Sequence, residues 1–214
     1  MVRDKELQMN NINFKHIDTE NEKVKRIIKA GFEVYSRNEI DKASTNMIVK
    51  RAGISRGLLY HYFKDKQEVF DFLVYYSIKV IIHDIKNSID WNDGDIINRE
   101  REISLSILHA TKEYPYIFEF YQKHLLKLSN ATITKYADDI SQDISKKLYN
   151  QGIDKNMIKD DVDIDKMIAI IRYTVIGLLT DRFRDTQSST LDTDQDIEHH
   201  LNEYFQFFRD LFYK

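Results

Sequence analysis

The sequence predicts an all-α protein, with a three-helix N-terminal domain containing a helix-turn-helix and a larger helical domain behind it. Three observations predict it. The 214 residues hold six glycines and one proline, too few turn formers for the closely spaced strands of a sheet-rich fold. Apolar residues recur at spacings of three and four along most of the chain, the period of an amphipathic helix. No stretch keeps the strict alternation of a half-buried strand. At this length folding buries about 70% of the chain's surface, so a core can form without covalent staples.

The elements follow in order. Residues 1–20 form a polar extension with no apolar h-region, so they do not read as a signal peptide. A first helix spans about Asn21 to Arg37, with Val24, Ile27, Ile28, Phe32 and Tyr35 along one face. A second lies in "STNMIVKRAG", with Ser44 or Thr45 placed to cap its start and Gly53 to close it. Ser55 caps a third that runs to about Tyr62, with Leu59 and Phe63 facing inward. "KDK" at 64–66 opens a longer stretch carrying Val69, Phe70, Leu73, Tyr76, Val80 and Ile81 on one side. "DWNDGD" (90–95) is a loop. Further helices are expected near 95–112, 115–122, 124–150, 163–184 and 194–213, with Pro115 in the first turn of its helix. "NQGIDKNMIKDDVD" and "DTQSSTLDTD" are the polar connections between the last three. The domain boundary is expected between 66 and 67, giving domains 21–66 and 67–214.

Composition excludes several classes. With no cysteine there is no disulfide framework, thiolate metal site or cysteine nucleophile, which fits a cytoplasmic protein. The histidines show no metal-ligand spacing, and no cofactor is implied. "MIAII" and "VIGLL" fall short of the roughly 20 apolar residues of a membrane span. Charge is unevenly distributed. From Asn21 to Lys66 there are 11 Lys and Arg against 5 Asp and Glu, and elsewhere 21 against 30. A basic segment on an acidic body points to an anionic partner at one end.

"GISRG" (53–57) has the Gly-x-Ser-x-Gly pattern of a hydrolase nucleophile elbow, in which a buried strand precedes the serine. Here the preceding residues have helical spacing. The histidines a triad would draw on, His109, His124, His199 and His200, also lie in helical patterns. No enzyme is expected, and the serine reads as a cap. Gly53 lets the chain leave one helix, Ser55 caps the next, and Gly57 allows a groove or phosphate to come close to the backbone. Arg56, Leu58, Tyr60, His61 and Lys66 remain for the outside, a set suited to phosphate oxygens and base edges.

Residues 23–70, above all "AGISRGLLYHYFKDK", resemble the DNA-binding domain of the TetR family of bacterial transcriptional regulators. The likeness in sequence covers under a quarter of the chain, the rest being similar in architecture only. It implies that Thr45, Tyr60, His61 and Lys66 touch phosphates, and that Arg56 and Gly57 approach base edges. Leu58 departs from the family pattern, which has a small or polar residue there. Met47 departs where an acidic residue often completes a capping box with Ser44. We expect Leu58 to read a thymine methyl and Arg56 a neighbouring guanine.

The resemblance further implies a homodimeric repressor on an inverted repeat of double-stranded operator DNA, released when a small apolar or aromatic effector shifts the spacing of the two recognition helices. A DNA-organising protein of the same fold, without an inducer, is the alternative. Trp91, Tyr114, Phe118, Tyr121 and Tyr173 are expected to line the effector pocket, as apolar walls with polar tips. Met167, Ile171, Val175 and Leu178, with Leu201, Phe205, Phe208 and Phe212, form two apolar stripes expected to meet in a four-helix dimer interface.

Overall fold

The computed structural model describes residues 14–126, 142–185 and 194–214. Residues 1–13 of the polar extension, 127–141 of the helix expected over 124–150, and 186–193 of the last polar connection lie outside them. Among the described residues the elements are α1 (Glu22–Arg37), α2 (Thr45–Ala52), α3 (Arg56–Tyr62), α4 (Lys66–Ser88), α5 (Ile96–Glu113), α6 (Ile117–Phe120), α7 (Gln142–Asn150), α8 (Ile164–Asp185) and α9 (Asp194–Phe212). A π-helical turn, Tyr121–Leu125, continues α6, and a short 3-10 turn, Lys155–Met157, precedes α8. Among these residues there is no strand, only an isolated bridge between Ile158 and Tyr213.

The chain divides into two compact units, one of Met1–Lys79 with Tyr114–Asp139, the other of Val80–Glu113 with Ile140–Lys214. Helix α4 passes from the first to the second.

In the first unit the predicted face of α1 is buried, with Val24, Ile27, Ile28, Phe32 and Tyr35 at most 1% exposed. Helix α4 packs so closely on it that a Cβ on Gly31 would stand 2.6 Å from Leu73 Cδ1. Leu59 and Phe63 are buried as expected. Pro115 sits two residues before α6, in a turn closed by the Ile117 N–H donating to the Tyr114 carbonyl at 2.9 Å, and so not inside the helix. Its fixed φ suits that second turn position. The π turn lends two side chains to the end of α1, whose last carbonyls lack intrahelical donors. His124 Nε2 donates to the Tyr35 carbonyl at 2.8 Å and Lys123 Nζ to that of Ser36 at 3.2 Å.

In the second unit α5, α8 and α9 pack together, and a smaller cluster joins Ile85 and Ile89 to Ile144 and Leu148. Buried charges are held by partners. Arg99, 1% exposed, donates to the carbonyls of Lys147, Leu148, Trp91 and Asp93. Glu100 accepts from the Tyr149 hydroxyl at 2.7 Å and pairs with Arg172 at 3.3 Å. Asp95 accepts from the Tyr213 hydroxyl and from Arg209.

The expected dimer stripes are core. Met167, Ile171 and Val175 of α8 are buried within their own chain, as are Leu201, Phe205, Phe208 and Phe212 of α9, and Leu178 is half-buried. Each helix has a second apolar side that stays exposed: Ile170 and Tyr173 on α8, and Tyr204, Phe207 and Leu211 on α9. Packing against α5 chose between the two stripes, a choice that spacing alone does not encode.

Candidate nucleic-acid interface

Local chemistry builds the α2–α3 unit as the sequence implied. Ser44 Oγ accepts from the Met47 N–H at 3.3 Å and starts α2. Gly53, at φ 61° and ψ 41°, is left-handed, and its N–H donates to the Val49 carbonyl. Ser55 Oγ then accepts from the Leu58 N–H at 3.2 Å and starts α3. The serine of "GISRG" thus follows a helix and caps another, so no nucleophile elbow forms.

Three of the expected contact residues come together. The Tyr60 hydroxyl lies 3.3 Å from Thr45 Oγ1 and accepts from Arg56 Nη2 at 3.4 Å. The Arg56 guanidinium also stands over the Tyr60 ring, 5.5 Å from its centroid, a cation–π contact. The hydrogen bond with Thr45, then that with Arg56, holds the Tyr60 hydroxyl below the ordinary phenol range. Tyr60 is nonetheless 42% exposed, so the cluster presents hydroxyls and a guanidinium to solvent. This tie joins the start of α2 to α3 and orients Arg56 before any partner arrives.

Around it, His61 is exposed with its ring against Tyr62 at 5.0 Å, and Leu58 is half-buried. Gly57 is exposed, and a Cβ built on it would have no heavy atom within 4 Å. A glycine inside a helix is destabilising by roughly 0.5–1 kcal/mol relative to alanine, and nothing in the described chain needs this one.

Lys66 departs from expectation. Its ammonium donates to the carbonyls of Ile40, Asp41 and Ala43 at 3.0, 2.9 and 3.2 Å. An ammonium has three donors, and all are taken. Lys66 therefore closes the α1–α2 connection instead of waiting for a phosphate. The adjacent Lys64 is exposed and makes no side-chain ion pair among the described residues.

Of the five residues expected in one effector pocket, Tyr114, Phe118 and Tyr121 belong to the first unit and Trp91 and Tyr173 to the second. Tyr114 and Phe118 are 1% exposed in the core of the first unit, where the Tyr114 hydroxyl meets that of Tyr76 at 2.6 Å. Tyr121 lies in the π turn. Trp91 packs against the Ile85–Leu148 cluster of the second unit. Tyr173 is 76% exposed. Aromatic composition marks core and cavity wall alike, and of these five only Tyr114 and Phe118 are buried. Among the described residues no group of acidic and histidine side chains could hold a metal ion, and no helix is long and apolar enough to cross a membrane.

Residues 27–72 match the family model described as bacterial regulatory proteins, tetR family. YvdT of Bacillus subtilis, an uncharacterised HTH-type transcriptional regulator, is 26% identical over 144 residues, covering 58% of this chain and 73% of its own length. KstR2 of Mycobacterium tuberculosis, an HTH-type transcriptional repressor, is 21% identical over 69% of this chain and 75% of its own. The crystal structure of a TetR-family transcriptional regulator from Chloroflexus aurantiacus matches the fold with a TM-score of 0.63 at 19% identity, covering 94% of this chain and 97% of that one.

Proposed function

We infer that this chain, a transcriptional regulator with a DNA-binding domain of the tetR family, is a homodimeric repressor that leaves its operator when a small molecule binds. The observation that carries the reading is the exposed Thr45–Tyr60–Arg56 cluster on two well-capped helices. Hydroxyls at the start of α2 and on α3 suit phosphate oxygens, which set register, while Arg56 suits the O6 and N7 of guanine. Gly57 lets the backbone of α3 lie against the groove. Leu58 offers its exposed part to a thymine methyl, and His61 and Lys64 supply further phosphate contacts, Lys64 taking the role first expected of Lys66.

A second copy of the chain fits the exposed apolar sides of α8 and α9. Tyr173 at 76% and Phe207 at 57% exposure are large surfaces to leave in water. Gly177, four residues beyond Tyr173, has no heavy atom within 4 Å of where a Cβ would stand, so a facing helix can come close there. Two helices from each copy make a four-helix interface, and a two-fold dimer meets two half-sites in inverted orientation. The repressor role is argued from the relative KstR2, and release by an effector from the habit of the family.

Selection of bound sequences from random DNA, with sedimentation of the free protein, tests the reading. The expected result is an inverted repeat bound by a dimer that is present at micromolar concentration. Selected sequences without a dyad, or equal binding at many unrelated sites, would favour a DNA-organising role and defeat the repressor reading.

A further inference from the structure

We propose that a cavity in the first unit, between α1, the end of α2 and the Tyr114–Tyr116 turn, binds a small monocarboxylate with an aromatic or short aliphatic body. The cavity measures about 320 Å³, at the lower end of the range for small-molecule sites. Ala30, Phe32, Ala52, Tyr114 and Pro115 supply apolar walls, and Arg26, Lys29 and Arg51 stand around them. Glu33 is the one carboxylate in the lining.

The charges of that lining are unevenly matched. Glu33 is held by Arg51 at 2.8 Å and again by Arg37 at 3.1 Å. Arg26 donates to the Gly53 carbonyl at 3.5 Å. Lys29 is left without a carboxylate among the described residues. Its ammonium stands 5.9 Å from the Tyr114 ring centroid, so cation and apolar wall meet at one place. A single uncommitted ammonium beside flat apolar surface matches one negative charge on an apolar body. A phosphate, which gains from several free donors, is the poorer match.

Polarity gives the same answer: a neutral hydrocarbon would leave Lys29 without a counter-charge. The residues of this site are distinct from the Thr45–Tyr60–Arg56 cluster. Carboxylate binding therefore stands or falls on the cavity's chemistry, whether or not the chain recognises an operator.

Titrating the full-length protein without DNA, by chemical-shift perturbation, tests the proposal with 1-naphthoate and the uncharged naphthalene-1-carboxamide as probes. Naphthoate is expected to saturate with a Kd on the order of 1 mM, as suits a ligand of its size. The carboxamide, and naphthoate with the Lys29→Glu variant, should bind roughly tenfold more weakly, the scale of one charge-assisted hydrogen bond. Lys29→Arg should restore naphthoate binding. Lys29 is exposed, so a thermal melt close to that of the parent protein checks that Lys29→Glu remains folded. Three outcomes overturn the proposal: no saturation by naphthoate, equal binding of acid and amide, or unchanged naphthoate binding by Lys29→Glu. If that variant instead lowers only the salt dependence of DNA binding, the cations serve phosphates and the cavity has no carboxylate.

Discussion

Replacing Lys66 by alanine separates a structural lysine from a DNA-contacting one. The ammonium donates to three carbonyls at 2.9–3.2 Å, two of them in part-buried contacts. Hydrogen bonds to charged groups contribute about 1.5–3 kcal/mol, and a buried acceptor left unsatisfied costs about 1–3 kcal/mol. Water can reach the exposed Asp41 carbonyl, so two acceptors carry most of the loss, about 2–6 kcal/mol. The lysine's released rotamer entropy returns about 1.5–2 kcal/mol. A net loss of about 2 kcal/mol is expected, which for a chain of this size lowers Tm by about 4–8 °C. Thermal melts and the salt dependence of operator affinity, measured side by side for Lys66→Ala and Lys64→Ala, read the two roles. Lys66→Ala should melt early with its salt slope unchanged. Lys64→Ala should melt normally with its slope reduced by about 0.9, one phosphate contact. If Lys66→Ala keeps the parent Tm and loses a unit of salt slope, the three carbonyl contacts are not what holds the α1–α2 connection.

Four further outcomes are expected. Gly57→Ala should raise stability by about 0.5–1 kcal/mol while weakening operator binding, because a methyl then stands between α3 and the groove; unchanged affinity in a gel-shift titration counts against contact there. Leu58→Ala, at a half-buried position, should lose about 1–2 kcal/mol of stability and relax preference at one base position by about 1 kcal/mol. Retained preference in a sequence selection would place Leu58 wholly with the core. Phe207→Glu should give a folded monomer by sedimentation, whereas Phe208→Ala, at a 2% exposed position, should lose the roughly 3–5 kcal/mol of stability that a core aromatic contributes. Burial of Glu119, with Oε2 lacking a hydrogen bond, holds its carboxyl above the usual 4.5 in spite of its own backbone N–H and nearby Arg37. A raised folded value binds protons more tightly than the unfolded chain, so this stability is whole below pH 4.5 and is lost as pH rises through the folded value. Glu119→Gln should therefore melt later than the parent near pH 8, with the gap closing toward pH 4.5; a gap independent of pH would refute it.

The sequence by itself determined what short-range chemistry controls. Ser44, Gly53 and Ser55 were legible as caps because each acts on backbone within a few residues of itself. The inward set of α1 and the inward pair Leu59 and Phe63 were legible because helical period marks a face. The cluster of Thr45, Arg56 and Tyr60 was half legible: the residues were marked, but their contact spans 15 positions and required α2 and α3 to dock. Tertiary structure alone decided three matters. It committed Lys66 to carbonyls 23 to 26 residues away, which no local pattern signals. It sent Tyr114 and Phe118 into a core and left Tyr173 in water, though all three look alike in composition. It also turned Met167, Ile171 and Val175 inward and Ile170 and Tyr173 outward on one helix. A helix with apolar residues on two sides has two faces to bury, and which of them stays free for a partner depends on the surfaces its own chain folds against it.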